Sequence, residues 1–198
     1  EVHVSLKLPK QKHHAPSKAA RPGYGCNVQR AEDGTSRKLS KDEIKRIQKA
    51  VGKFLLLARA TGNAMLHALS EVACGASGGA GKALGAAAYL LSYIACNPRP
   101  KIRFHASGMT LQAGSGAALQ ARPEARSRAG GYRYLGSKSN GMPSAPALLA
   151  SKVAKGAMGS SAKAEVAATH ASAKEAASAR QCLEEMGHPQ PAARISWQ

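Results

Sequence analysis

The chain is poor in the side chains that build a core. Among 198 residues, Leu, Ile, Val and Phe together number 31, whereas Ala alone numbers 40. Ordering one residue costs about 1–2 kcal/mol of backbone entropy. An Ala side chain offsets little of that, because burial returns only roughly 25 cal/mol per Å². Lys and Arg number 29 against 11 Asp and Glu, a net charge of +18. Few large apolar residues combined with high charge disfavour a large, well-packed globule and predict that part of the chain is disordered.

The acids are scarcer than the bases are abundant. Asp occurs only at Asp33 and Asp42, and beyond residue 100 the carboxylates are Glu124, Glu165, Glu175, Glu184 and Glu185. Hydrolases that hold divalent metal need several converging carboxylates, so the composition argues against that class. Cys26, Cys74, Cys96 and Cys182 are widely spaced and form no Cys-x-x-Cys pair. They read as incidental thiols of a reducing compartment rather than a zinc site or disulfide framework. His3, His13 and His14 lie in a Lys/Pro-rich stretch and read as solvated chain.

The charge is unevenly placed, with residues 61–100 nearly neutral between two basic flanks. Residues 1–39 are expected to be extended or disordered, with docking possible at Tyr24. Ser40 followed by Glu43 fits a capping box. Ile44, Ile47, Val51, Phe54, Leu55 and Ala58 then recur at helical spacing. A second stripe runs from Met65 to Ala73 and a third from Leu84 to Ala95, ended by Asn97-Pro98. After Pro100 the pattern alternates. Residues 101–104, 109–112 and 131–136 predict short strands, and 147–150 the start of a fourth. Residues 160–186 are rich in helix formers and stop at Gly187 and Pro189. The fold class is therefore α+β, with segments 1–39, 40–98 and 101–198.

No apolar leader is visible at the N-terminus. The uncharged run from Ala83 to Pro98 is shorter than the ~20 residues a membrane span needs. An intracellular chain with no membrane partner is expected, and a start at Glu1 rather than Met suits a fragment.

Three features could bind phosphate. Ala76-Ser-Gly-Gly-Ala-Gly-Lys82-Ala83 has the Gly-Lys pair of a nucleotide loop. However, Ala83 offers no hydroxyl for Mg²⁺, and the preceding segment reads as helix. Lys41, Lys45, Lys49 and Lys53 stand four apart on one helix face. They span roughly 18 Å, a length that meets several duplex phosphates at one charge per ~1.7 Å. Arg122, Arg126, Arg128 and Arg133 lie beside Tyr132 and Tyr134, a composition suited to single-stranded nucleic acid.

The run from Lys38 to Ala60, followed by Met65-Leu-His-Ala-Leu69 and Asn97-Pro-x-x-x-Ile-Arg-Phe, resembles copia-type retrotransposon polyproteins. The resemblance is carried by Arg21-Pro-Gly-Tyr24-Gly, Val28-Gln, the run from Lys38 to Ala60, and Met65-Leu-His-Ala-Leu69. It continues through Asn97-Pro-x-x-x-Ile-Arg-Phe-x-Ala-Ser107, Ala125-Arg-Ser-Arg-Ala-Gly-Gly-Tyr132, Ala162-x-Ala-Glu-Val166 and Glu184-Glu-Met-Gly-His-Pro-Gln-Pro191. In that family the stretch joins the end of the reverse transcriptase to ribonuclease H. The resemblance implies a helical thumb or connection segment, then a truncated ribonuclease H-like fold of three strands, a helix and the start of a fourth strand. It implies an RNA–DNA hybrid as substrate, Mg²⁺ as cofactor and the remainder of a Pol polyprotein as partner. The polymerase aspartates would lie upstream, and nothing here matches them.

The ribonuclease H acids carry over incompletely. The first aspartate falls on Gly116, the second acid matches Glu165, and the third would fall near Trp197-Gln198 and is missing. Large family positions on the last helix are Ala here, as at Ala167 and Ala168. Two bridged divalent ions cannot be held by one carboxylate. The expectation is a catalytically inactive remnant without a cofactor, retaining at most nucleic-acid binding. A basic binder unrelated to this ancestry is the alternative, and a nucleotide-binding loop at 76–83 the third.

Overall fold

A capping box opens the first helix. Ser40 Oγ accepts from the Glu43 N–H at 3.2 Å, and Glu43 Oε2 accepts from the Ser40 N–H at 2.9 Å. Two orphan donors are thereby satisfied, and α1 (Lys41–Ala60) follows. The computed structural model describes residues 13–18, 37–119, 126–137, 144–191 and 195–197. It divides the chain into two units, meeting at Lys101 and Ile102.

The first unit is helical. α1 is followed by α2 (Met65–Ser77) and α3 (Lys82–Cys96), and Asn97 closes the last through bonds to Tyr93. α2 is the central helix, packing on α1 on one side and α3 on the other. It buries Met65, Leu66, Ala68, Leu69, Val72 and Ala76, whereas α1 buries only Ile47 and Ala58. Residues 13–18 lie against α3. The His13 and Tyr89 rings are 4.0 Å apart, and Lys18 Nζ stands 5.6 Å from the Tyr89 centroid. The expected docking point, Tyr24, lies outside the described residues.

The second unit is a sheet with one helix. β1 (Thr110–Ala118), β2 (Arg126–Gly136) and β3 (Pro146–Ala157) form an antiparallel meander, followed by α4 (Ser161–Glu185) and β4 (Ile195–Trp197). The strand order is β3-β2-β1-β4, with β4 parallel to β1 at Ala113–Ser115. A return to parallel pairing requires a crossover, and α4 supplies it by packing on β1 and β2. Ser160 caps α4 by accepting from the Lys163 N–H, and Gly187 leaves it at φ +85°, a left-handed position suited to Gly.

The mixed α+β class expected from the sequence is therefore present. Two of its strand assignments need correction. Residues 101–104 form no strand: Phe104 is 65% exposed, and the segment is tied only by the Ala145 N–H donating to Arg103 O. Residues 147–150 belong to the third strand, β3, because the strand expected at 101–104 does not exist.

The face of the sheet under α4 carries Leu111, Ala113 and Ser115 of β1, paired with Leu135, Arg133 and Gly131 of β2. Its buried apolar residues are small, chiefly Ala113, Ala164 and Ala168, with Leu183 the large exception. A groove of about 610 Å³ remains beside α4, lined in part by Leu111, Leu135, Leu148, Leu183 and Met186.

Candidate functional site

The lysine ladder predicted from the sequence is displayed on α1. Lys41, Lys45, Lys49 and Lys53 are all exposed, as are Arg46 and Arg59. At about 100° of rotation per residue, these six cations occupy an arc of roughly 140°. Gly52, Leu56, Ala60 and the acid Asp42 lie within the arc, and Leu56 is 76% exposed. The opposite face, centred on Ile47 and Ala58, packs toward α2.

Two acids stand in the first turn of α1, Asp42 and Glu43. Glu43 is already engaged by Arg37, whose Nη1 donates to Oε2 at 3.0 Å. The Arg37 hydrogen bond, reinforced by the Ser40 N–H, lowers the Glu43 pKa to about 2. Glu43 is thus held as a carboxylate facing Arg37, and Asp42 is the one other acid of α1.

The Gly-rich turn does not form a phosphate cradle. A cradle needs unoccupied backbone N–H groups, and here they are engaged within the unit. Gly78 donates to Cys74 O, Gly79 to Ala76 O, Ala80 to Gly75 O and Gly81 to Arg37 O. The Leu39 N–H in turn donates to Gly79 O, and Lys38 bridges to Ala80. The glycines serve this packing. Gly79 sits at φ +68°, and a Cβ on Gly81 would meet Arg37 O at 2.6 Å. The segment is a helix–helix turn pinned by residues 37–39.

The arginine cluster read from the sequence is divided by the sheet. Arg133, 1% exposed, reaches α4. Its Nη2 donates to Ser172 Oγ at 3.1 Å, its Nε to Ser172 O at 3.3 Å, and its Nη1 lies 2.8 Å from Glu175 Oε2. Lys152 Nζ of β3 donates to the other Glu175 oxygen. Lys152 and then Arg133 hold the Glu175 carboxyl below its ordinary range, against the opposing effect of burial. Arg128 points to the opposite face, is 7% exposed, and donates from Nη1 to Ser151 Oγ at 3.0 Å. Of the predicted binding arginines, only Arg126 is exposed; Arg122 lies outside the described residues. Tyr132 shares the Arg128 face, where its hydroxyl donates to Ser144 O at 2.6 Å, and burial raises its pKa.

Position 165 of α4 meets β1 at its backbone, next to position 116. Glu165 Oε1 accepts from the Ala117 N–H at 3.1 Å. One turn further along α4, Thr169 Oγ1 is 3.0 Å from Ser115 Oγ. Gly116 lies between these two β1 residues, and a Cβ added to it would meet nothing within 4 Å. Position 116 carries no acid, and a side chain there would leave the sheet on the face opposite the one where Ser115 meets α4.

A divalent metal pair does not fit these residues. Glu165 is bonded to the strand backbone, and Gly116 provides no ligand. The next described carboxylate along α4, Glu175, lies roughly 15 Å away along the helix and is held by Arg133 and Lys152. Among the described residues, no three His, Cys, Asp or Glu side chains group together, and no helix is long and apolar enough to cross a membrane.

The Arg133–Glu175–Lys152 cluster was missed by sequence reasoning. Its signal was available, since Glu165, Thr169, Ser172 and Glu175 recur at three- and four-residue spacing on one helix face. No protein-family model, no curated protein and no solved structure matches this chain.

Proposed function

We propose that the chain is a non-cleaving remnant of the reverse transcriptase–ribonuclease H region of a copia-type retrotransposon polyprotein, and that its biochemical capacity is non-specific nucleic-acid binding. The observation that carries this reading is the bond from the Ala117 N–H to Glu165. The family resemblance assigns a shared acid site to positions 116 and 165, which are far apart in sequence. The fold sets the β1 backbone beside position 116 against Glu165, and this adjacency is support independent of the motifs that suggested it. The order of three strands, a helix and a short fourth strand supports the same reading.

Loss of cleavage follows from charge. One carboxylate cannot hold and neutralise two divalent ions, and the first acid position is Gly116. Binding follows from the exposed cations of α1, because Lys and Arg contacts to phosphates release counterions whatever the base sequence.

The test is an end-labelled RNA–DNA hybrid incubated with the purified chain and Mg²⁺ or Mn²⁺. Salt-dependent retention of uncut hybrid is expected, and Gly116→Asp alone leaves it uncut. Cleavage that disappears in Glu165→Ala would overturn the proposal.

Binding by α1 unconnected with any polyprotein ancestry is a second reading. It is favoured by the cation arc and the acid positions belonging to different units. An integrase and polymerase core encoded just upstream of Glu1 supports the remnant, and a different upstream frame supports the second reading.

A further inference from the structure

The arc on α1 has a shape as well as a charge. We infer that α1 is a groove-entering helix that binds B-form duplex DNA through the major groove, in preference to A-form RNA duplexes. This rests on the proposed nucleic-acid binding and specifies the form of nucleic acid that the same surface takes.

Three observations carry it. First, α1 is an outer helix of its unit: it packs on α2, which separates it from α3 in the packing order. Only Ile47 and Ala58 of its 20 residues are buried, and the exposed ones form one continuous face. Second, the cations occupy two flanks and the ground between them. Lys41 and Arg59 mark one edge, Lys53 and Arg46 the other, and Lys45 and Lys49 stand between. Third, the arc also holds uncharged ground, Gly52 without a side chain and Leu56 with an apolar one, 76% exposed.

Groove dimensions then select the ligand. The major groove of B-DNA is about 12 Å wide and admits an α-helix, whose diameter with side chains is about 10–12 Å. Seated there, the two flanks of the arc face the two phosphate walls, and Leu56, between Lys45 and Lys49, faces the floor, where a Leu finds thymine methyl groups. The A-form major groove is deep and too narrow for such entry, so on RNA the arc would meet one phosphate wall instead of two. An anionic bilayer also attracts cations, but an interfacial helix needs a broad apolar face opposite its charges and turned to the lipid. The apolar face of α1 is turned toward α2.

The decisive experiment measures binding by fluorescence anisotropy on the full chain. The ligands are one sequence prepared as DNA duplex, RNA duplex and RNA–DNA hybrid, together with phosphatidylserine–phosphatidylcholine vesicles. The variants are Lys41→Gln with Lys53→Gln, one from each flank, and a charge-matched control on α4, Lys163→Gln with Lys174→Gln.

DNA duplex is expected to bind at least several-fold more tightly than RNA duplex, with the hybrid between them. Each lysine that contacts a phosphate contributes about 0.9 to the slope of log K against log salt. The α1 pair should therefore lower that slope by about 2 and weaken DNA binding roughly fivefold per lysine near 0.15 M salt. Unchanged circular dichroism in that pair excludes loss of the helix as the cause.

Equal affinity for DNA and RNA duplexes, or equal losses in the α1 and α4 pairs, would overturn the groove assignment while leaving general nucleic-acid binding intact. Vesicle binding without duplex binding would overturn both, and so would the absence of binding to every nucleic acid.

Discussion

The two units solve the same shortage of large side chains in different ways. The helical unit concentrates its large residues. Leu39, Ile47, Met65, Leu66, Leu69, Val72 and Leu90 are all buried there. The sheet unit has Ala113, Ala145, Ala164 and Ala168 in the equivalent role, with Leu183, and it buries Ser115, Ser127, Arg128, Arg133, Ser144 and Ser172 beside them. One unit is held mainly by apolar area. The other is held by a β-ladder and by directed polar contacts between α4 and the sheet. Polar contacts fix geometry but return little net energy, about 0.5–1.5 kcal/mol each, so the second unit is the less protected against loss of any one of them.

The largest effect is expected in the helical unit. Leu69 is 2% exposed on the central helix, and Leu69→Ala should cost about 2–5 kcal/mol. Denaturant unfolding followed by circular dichroism at 222 nm measures this. A cost below 1 kcal/mol would break the comparison.

The next effect belongs to the Arg133–Glu175–Lys152 cluster, a latch between α4 and the sheet. Glu175→Ala leaves Arg133 buried without its carboxylate. Removing one partner of a fully buried pair costs about 3–5 kcal/mol, and because Glu175 is about a third exposed the expectation is about 2–3. Replacing both partners together, as Arg133→Met with Glu175→Leu, should be neutral or stabilising. Thermal melts of the three proteins decide it, and a double variant as unstable as the single one would show that the pair is a net source of stability.

The latch also sets an acid response. The Glu175 carboxyl is held below its ordinary value, so the unfolded chain takes up the proton first as pH falls. Its stabilisation is complete above the unfolded pKa of about 4.3 and is lost as pH drops through the lowered folded value. Melting temperatures between pH 6 and pH 3 should fall less steeply in Glu175→Gln than in the parent.

A smaller gain is expected from filling the groove. Ala179 lines it, and Ala179→Leu should add about 0.5–2 kcal/mol. The smallest effect is at Glu165. Glu165→Ala removes one bond to the Ala117 N–H and should cost about 1 kcal/mol, read in the same unfolding experiment. A cost of several kcal/mol would mean that Glu165 organises the β1 edge more widely than one bond implies.

Helices were the most legible part of the chain. The Ser40 and Glu43 pair, the stripe from Ile44 to Ala58 and the stop at Gly187 act over three or four residues, so composition in a short window is enough to specify them. Strands were less legible. Residues 101–104 alternate like a strand yet join no sheet, with a single backbone bond from Ala145, because pairing depends on a partner that alternation does not name. The lysine ladder was legible because a helix face is fixed by spacing alone. The arginine cluster was not, since neighbours in sequence on a strand point to opposite faces, and the sheet sends Arg133 toward α4 and Arg128 away from it.

The sequence by itself determined the α1 cation arc, the helix boundaries and the shortage of acids, all consequences of local periodicity and composition. Tertiary structure alone decided three other matters: that the Gly-rich turn has its N–H groups engaged by its own unit, that Glu165 meets β1 beside Gly116, and that Arg133 finds Glu175 and Ser172. Each depends on contacts between segments distant along the chain, and packing rather than local propensity chooses those partners.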